Sequence, residues 1–305
     1  FLVGKNEPNH TCKRQFLGLV MEDEINPSMG EIESAFSIDN VTKEFFNEYK
    51  ELFLELNESL LKILEERAYL RKEFEEKNIS SVDFAKKLLG QIVFIYFLQK
   101  KGWLGVSKDG GGKFKQWGTG PKNFLRKLYD KEIVEYDNFF NDVLEPLFYE
   151  ALATERDDDY YSRFKCKIPF LNGGLFEPIN DYDWAGTEIT LDNPTFDRIL
   201  ATFDRFNFTV KEDEPLEREV AVDPEMLGKV FENLLEVKDR KSKGAFYTPR
   251  EIVHYMCQQS LINYLETNSS IARGDIENFI QLGDFALAQI IKEQEQIKNM
   301  ENPMM

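Results

Sequence analysis

The stretch 41–78 repeats apolar residues at the spacing of an α-helix, and this repeat constrains the fold more than any other feature of the sequence. Apolar side chains recur near i, i+3, i+4 and i+7, so they share one face that another element must cover. The pattern predicts one long amphipathic helix with a break near Arg67. The apolar face consists of Phe45, Tyr49, Leu52, Phe53, Leu56, Leu60 and Leu64.

A second helix is predicted from the Ser80/Ser81 cap to Gly102, because "LLGQIVFIYFLQ" is apolar on most sides. Such a helix belongs at the centre of a fold, where every side is covered. Residues 1–35 are predicted to be irregular and 267–305 to form a polar tail, partly helical or disordered. The segments 168–178 and 184–191 each predict a turn followed by a short strand or extended chain. The fold class is therefore mainly α, with further helices predicted at 121–130, 136–154, 194–204 and 223–237.

The composition excludes several classes of protein. The 305 residues are 42% hydrophobic, enough for one or two domains. Three cysteines and two histidines are scattered, which excludes a disulfide framework or a paired zinc site and favours a cytoplasmic setting. No window approaches ~18 uninterrupted apolar residues, so no membrane segment or signal peptide is expected. Because the sequence opens on Phe1 rather than Met, we expect a fragment or a processed product.

Charge is distributed unevenly along the chain. The formal net charge is −17, which argues against a surface that grips nucleic acid everywhere. The basic segment 99–131, however, holds nine lysines and arginines against two aspartates, and the acidic segment 132–159 holds ten acids against one arginine. The basic segment is either an ordinary solvated face or a phosphate-contacting loop. The candidate DNA contacts in it are Lys113, Lys115, Lys122, Arg126 and Lys127.

No self-contained active site is visible in the sequence. A Gly-x-Ser-x-Gly elbow is missing, and the triple glycine 110–112 lacks the spacing of a phosphate-binding P-loop. The Glu-x-Lys strings at 48–50 and 236–238 lie inside predicted helices, where ordinary helical ion pairing explains them. The sequence predicts that these residues catalyse nothing on their own.

The string "KSKGAFYTPREIVHYM" (241–256) predicts a helix start. Thr248 suits the N-cap, Pro249 the first helical position, and Glu251 completes a capping box. We expect a helix over 249–262, whose exposed N–H groups face either water or an anion. Its apolar side is predicted to hold Ile252, Val253, Met256, Ser260 and Leu261.

Read with its neighbours, this string resembles a known family. The run 219–265, "EVAVDPEMLGKVFENLLEVKDRKSKGAFYTPREIVHYMCQQSLINYL", resembles the segment that enters the catalytic domain of adenine-specific DNA methyltransferases fused to type II restriction endonucleases. The stretches 41–53, 88–105 and 168–178 resemble the helical connector of that branch, so the resemblance covers about 36–266. It implies a connector over 36–222 and the start of an α/β, Rossmann-like methyltransferase domain over 223–266. It further implies an S-adenosylmethionine pocket lined by Gly244, Ala245, Phe246, Tyr247, Thr248 and Pro249.

Two motifs of that family are missing. The Asp-Pro-x-x-Gly-x-Gly cofactor strand is absent, because Asp223-Pro224 leads into a predicted helix. The catalytic Asn-Pro-Pro-Tyr/Phe is also absent, and its nearest string, 193–196, reads as a helix start. A chain that stops before the catalytic core is the interpretation we favour.

The resemblance implies a parent protein that methylates adenine N6 in specific double-stranded DNA and cleaves DNA without the mark. Its partners would be that DNA and the remaining nuclease and methyltransferase domains, with Mg²⁺ needed only by a nuclease domain outside this chain. Two alternatives stay open. One is a phage-defence methyltransferase without a nuclease, and the other is a non-enzymatic helical adaptor that binds a partner through 132–159.

Overall fold

The computed structural model describes residues 26–30, 32, 38–171, 173–206, 208, 222, 248 and 250–280. The chain divides into two compact units, Phe1–Leu234 and Leu235–Met305. The predicted helix at 223–237 and the tail after 280 lie outside the described residues. Residues 29, 30 and 32 are helical, where the glycine and proline content predicted irregular chain.

The long apolar repeat forms two consecutive helices. Helix α1 spans Ile38–Glu66 and helix α2 spans Ala68–Glu76. Between them Arg67 takes an extended backbone (φ −117°, ψ 96°), so the predicted break is confirmed. The predicted apolar face is also confirmed, since six of its seven side chains are buried and Leu64 packs against the core from its edge.

Helix α3, Ser81–Lys100, is the central helix of the first unit. Its start is capped by Ser80, whose hydroxyl oxygen accepts a hydrogen bond from the Asp83 amide at 3.0 Å. Twelve of its twenty residues are buried, as a helix apolar on most sides requires, and it packs against α1. The predicted buried helix is confirmed.

Two shorter helices follow at positions close to those predicted. Helix α4 spans Phe124–Tyr129 and helix α5 spans Asn193–Phe203, with Pro194 in the first turn of α5. Arg126 joins the two, because its guanidinium lies 2.9 Å from the Asp197 carboxylate and 2.8 Å from that of Asp204. Asp204 also accepts a hydrogen bond from the Tyr96 hydroxyl of α3 at 2.7 Å. The three helices are therefore held by one polar network.

The segment predicted as an α-helix at 136–154 is helical but wound differently. It forms two π-helical stretches, Phe140–Leu144 and Pro146–Leu152, in which the backbone bonds reach one residue further than in an α-helix. At its end the Ala153 amide donates to the Phe148 carbonyl, five residues back, at 3.1 Å. Pro146 has no amide hydrogen to donate, so one α-helical bond is missing where the two stretches meet.

A small antiparallel sheet was not predicted. Strand β1, Tyr160–Tyr161, pairs with strand β2, Cys166–Lys167, in the register Tyr160↔Lys167 and Tyr161↔Cys166. Val106 adds an isolated bridge to Lys167 from the other side. The strands are too short to show a period-2 pattern, and the Val106 bridge joins residues that are distant in sequence.

Aromatic side chains dominate the core of the first unit. Phe45 of α1 lies against Phe203 of α5 and Phe206, with ring centroids 5.9 and 5.1 Å apart. Phe140 of the π-helical segment stacks on Phe196 of α5 at 5.9 Å. Such edge and stacked contacts add to the burial of large apolar rings. The class is mainly α, as predicted.

The second unit is described over one complete helix and the residues after it. Helix α6 spans Arg250–Asn268, so the predicted helix over 249–262 is confirmed and runs further. Residues 273–280 are again helical. The Arg273 guanidinium lies 2.7 Å from both Glu266 and Glu277 and ties the two stretches together. Across the described ranges, no helix combines the length and apolarity needed to cross a membrane.

Candidate functional site

The sequence placed a cofactor motif directly before α6. Of its residues only Thr248 is described, and its side chain is exposed. The helix begins two residues later at Arg250. The remaining predicted positions lie outside the described residues, and they are Gly244, Ala245, Phe246, Tyr247 and Pro249.

Helix α6 exposes apolar side chains on several sides. Four members of the predicted face, Ile252, Val253, Met256 and Leu261, are between 44% and 58% exposed, and the fifth, Ser260, is exposed as well. Tyr264 is 62% exposed as well, so the exposed apolar surface is broader than the predicted face. Single exposed apolar residues are ordinary, but a contiguous set on one helix is typical of a surface that contacts other protein.

Three of the five candidate DNA contacts are engaged within the protein. Arg126 is held by two aspartates, as described above. The Lys127 ammonium pairs with the Glu132 carboxylate. The Lys122 ammonium donates to the carbonyl of Lys100 at 2.7 Å. These cations lie on the α4 side of the basic segment and serve its packing.

The other two candidates, Lys113 and Lys115, lie on a hairpin that spans residues 107–115. Its backbone bonds run from the Lys115 amide to the Ser107 carbonyl (3.1 Å) and from the Asp109 amide to the Lys113 carbonyl (2.7 Å). The Asp109 carboxylate closes the glycine turn by accepting from the Gly111 and Lys113 amides at 2.9 and 3.0 Å. Both lysines are exposed, and no carboxylate of the described residues lies within 4.0 Å of either ammonium.

One face of this hairpin alternates rings with ammonium groups. Lys108 Nζ lies 4.9 Å from the Phe114 ring centroid and 5.2 Å from that of Tyr160 on β1. Lys167 Nζ of β2 lies 5.4 Å from Phe114 and 4.8 Å from Trp117. Sequence reasoning missed Tyr160 and Lys167, because only the folded sheet brings them to the hairpin. The interleaving of Lys108, Phe114 and Trp117 was the signal available in the sequence.

The base of the hairpin contains glycines at positions where a side chain would collide with the backbone. The amides of Gly118 and Gly120 both donate to the Gly102 carbonyl, at 3.1 and 2.9 Å. A Cβ on Gly102 would meet the Gly118 carbonyl oxygen at 2.3 Å, and Gly102 also has a positive φ of 69°. A Cβ on Gly120 would lie 2.0 Å from the Leu104 carbonyl oxygen. Close backbone approach therefore sets the position of the hairpin relative to α3.

The acidic segment 132–159 is partly internal. Glu145 is 1% exposed and accepts hydrogen bonds from the Tyr182 hydroxyl at 2.6 Å and the Asn141 amide at 2.8 Å. Burial raises the pKa of Glu145 to about 8, although both hydrogen bonds act to lower it. The Tyr149 hydroxyl lies 3.3 Å from that of Tyr182. This buried cluster links the π-helical segment to the 179–182 turn and presents no acid to a partner.

Other chemistry is limited in the described part of the chain. No group of three or more His, Cys, Asp or Glu side chains there could hold a metal ion. Cys166 is buried, and burial raises the pKa of its thiol to about 12, so it is an inert core residue. An open groove of about 350 Å³ between α1 and α5 is lined by charges that pair with each other, such as Arg198 with Glu55 at 2.7 Å.

Comparison with known proteins gives one informative similarity. Over 200 residues the chain is 32% identical to a protein of Methanocaldococcus jannaschii named as a type II restriction enzyme and methyltransferase. The match covers 60% of this chain and 15% of that protein, so the chain spans a small part of its relative's length. No protein-family model matches the chain, and no solved structure matches it. The similarity supports the resemblance to restriction–modification enzymes drawn from the sequence.

Proposed function

We propose that these residues belong to a restriction–modification protein that transfers a methyl group from S-adenosylmethionine to adenine N6 in specific DNA and cleaves DNA lacking that mark. The observation that carries the proposal is the 32% identity over 200 residues to a protein named as a type II restriction enzyme and methyltransferase. The Lys-Gly-Ala-Phe-Tyr-Thr-Pro string, 243–249, supports it from the sequence side. The activity itself belongs to a longer protein, since the match covers 15% of the relative.

Within that protein, residues 36–222 act as a helical connector. The described part of this region supports such a role, because its helices are joined by a continuous aromatic core and by the network around Arg126. A mechanically firm spacer holds a nuclease and a methyltransferase at a set separation. Any nuclease site, with its Mg²⁺, lies in a domain outside these residues.

Residues 223–266 form the entrance to the methyltransferase domain, and 244–249 contribute one wall of the cofactor pocket. The described residues fit this role at one point, because the exposed Thr248 hydroxyl precedes the first turn of α6 by two residues. First-turn amides and a helix dipole favour a carboxylate, by about 0.3–1 kcal/mol when exposed. S-adenosylmethionine supplies the methyl group. The residues of this chain bind its amino-acid end and orient it.

The first experiment uses the 305-residue chain. We expect the purified chain to transfer no label from tritiated S-adenosylmethionine to mixed-sequence DNA, because the motif that would hold the target adenine is absent from its sequence. Measurable methyl transfer by this chain would contradict the proposal that the activity needs residues outside it.

The second experiment uses the longer gene product that contains these residues. Replacing Phe246, Tyr247 and Thr248 together with alanine is expected to abolish methyl transfer and to weaken S-adenosylmethionine binding in calorimetry. Tyr69→Ala, which removes a 55% exposed ring of α2, serves as the control and should leave both unchanged. Normal methylation by the triple variant would refute the cofactor role of this motif.

A further inference from the structure

We propose that the hairpin surface, made of Lys108, Lys113, Lys115 and Lys167 with the rings of Phe114, Trp117 and Tyr160, binds the phosphodiester backbone of double-stranded DNA. The proposal rests on the function proposed above, in which DNA is the substrate. It deepens that function by assigning the contact with DNA to particular side chains. Sequence charge alone pointed to five cations in the basic segment. The structure separates Lys113 and Lys115 from the rest and adds Lys108, of the same segment, and Lys167, which lies outside it.

The first step is that the backbone of the hairpin, from which the lysines project, is held in one position. The glycine base at Gly102 and Gly120 ties it to the end of α3, and the Val106–Lys167 bridge ties it to β2 with bonds of 3.3 and 2.9 Å. The Asp109 carboxylate organises the tip through the Gly111 and Lys113 amides. A surface whose backbone is already ordered loses little conformational entropy on binding.

The second step is that three of these lysines, Lys108, Lys113 and Lys115, make no ion pair with a carboxylate of the described residues, whereas Lys167 lies 4.0 Å from the Asp159 carboxylate. Lys108 and Lys167 lie over ring faces, and a cation–π contact at an exposed site contributes only about 0.5–1 kcal/mol and leaves the cation charged. Lys113 and Lys115 have no carboxylate within 4.0 Å among the described residues. By contrast, Arg126 and Lys127 of the same segment are already paired with acids.

Three carboxylates that contact this surface, those of Asp109, Asp158 and Asp159, each have a partner within the protein. Residues 100–120 hold five lysines and one acid, Asp109, whose carboxylate accepts from backbone amides. Asp159 lies 4.0 Å from Lys167, and the Asp158 carboxylate accepts from the Tyr160 amide at 3.0 Å. Within the hairpin, residues 107–115, three lysines are opposed by one acid, Asp109, on a protein whose formal net charge is −17.

The third step concerns the occupant. Duplex DNA carries one negative charge per ~1.7 Å of axis, so lysines spread along a hairpin and an adjoining strand meet several phosphates at once. Lysine acts on phosphate as a point charge and needs no fixed donor fork. The interaction would then be independent of sequence, which suits a connector that follows DNA while other parts of the protein read it.

The test is fluorescence anisotropy of a short labelled duplex of mixed sequence, titrated with the 305-residue chain at several salt concentrations. We expect affinity to fall linearly with salt on a log–log plot. Lys113→Ala/Lys115→Ala should weaken binding roughly tenfold at low salt and lower the slope by about two, near one for each lysine that no longer meets a phosphate. The control is Lys43→Ala/Lys50→Ala, which removes the same charge from exposed positions of α1 and should bind like the unchanged chain.

Three outcomes would overturn the proposal. Equal weakening by the two double variants would mean that net charge, and not the hairpin surface, controls binding. Tighter binding of a single strand than of the duplex, with the same dependence on Lys113 and Lys115, would replace the duplex as the ligand. Failure to bind the duplex at any salt would exclude DNA as the ligand of the hairpin surface, while the methylation experiments on the longer protein would still decide the proposed function.

Discussion

At the scale of single residues, Glu145 is the clearest case of burial changing chemistry. Its carboxyl sits in the π-helical segment among Tyr182, Tyr149 and Asn141, and it is 1% exposed. An ionised carboxylate in such a place costs more than its two hydrogen bonds return, so the neutral form is favoured. The pKa rises from an ordinary 4.5 to about 8. Glu145 is therefore protonated in the folded protein at neutral pH.

This shift predicts a pH-dependent stability. Between pH 4.5 and about 8 the folded chain keeps the Glu145 proton while the unfolded chain has released it. Because the folded state binds more protons, the free energy of unfolding falls as pH rises through this window, by up to about 1.4 kcal/mol per pH unit from this group. Glu145→Gln, which keeps a similar shape and an acceptor for Tyr182, should flatten the profile.

Urea unfolding of both chains at steps across the same window measures the effect. The part of the slope that disappears in Glu145→Gln is the contribution of this carboxyl. Identical profiles would show that Glu145 titrates alike in the folded and unfolded states, against the burial seen in the structure.

At the scale of elements, the loop 173–178 shows how an irregular segment is held in place. Two side chains of α3 bind its carbonyls, Gln91 to Leu175 at 2.8 Å and Lys87 to Gly174 at 3.0 Å. The Phe176 ring is 2% exposed and lies 5.8 Å from that of Phe94 and 5.6 Å from that of Phe148. The loop thus bridges α3 and the π-helical segment.

We therefore expect Phe176→Ala to lower the free energy of unfolding by roughly 3–5 kcal/mol, because it removes buried apolar surface and leaves a cavity. Leu175→Ala is the matched control, because the neighbouring side chain is 37% exposed and its removal should cost less than about 1 kcal/mol. Urea unfolding of the two variants and the unchanged chain measures both losses of stability, provided that the dependence of the free energy on urea concentration is the same in all three. Similar destabilisation by the two variants would mean that Phe176 does not anchor the loop.

At the scale of the whole molecule, the notable feature is the number of apolar side chains that α6 exposes. Ile252 and Met256 are 50% and 58% exposed, and Tyr255 and Tyr264 are each 62% exposed. A helix with so many uncovered apolar side chains is typical of one that packs against further protein. This agrees with the proposal that the chain is a small part of a longer restriction–modification protein.

The prediction at this scale compares two proteins. In the 305-residue chain, Ile252→Gln/Met256→Gln should change the free energy of unfolding by less than about 0.5 kcal/mol, since both side chains already face water. In the longer gene product the same pair of changes should lower the thermal midpoint of the methyltransferase domain. An unchanged midpoint there would mean that this side of α6 stays exposed in the longer protein as well.

In the first unit the sequence alone determined helix α1 with its buried face and the buried central helix α3. Local rules predicted α1, the break at Arg67 and the central helix. The signals are the helical repeat around Phe45 and Leu56, the Ser80 cap and the apolar run of α3, and each of them acts within a few turns of the chain. The resemblance around Thr248 likewise depended on a short string. Its cofactor role remains a proposal, since most of that string lies outside the described residues.

Only the tertiary structure decided which groups meet across the chain. Lys167 and Tyr160 join Lys108, Phe114 and Trp117 because β2 bridges to Val106, at the base of a hairpin dozens of residues earlier, and β1 pairs with β2. Charge counting treated Arg126 and Lys113 alike, yet folding pairs the first with Asp197 and leaves the second exposed. Periodicity reports which face of an element is buried, whereas the partner of a charge or a ring depends on long-range packing that no local pattern encodes.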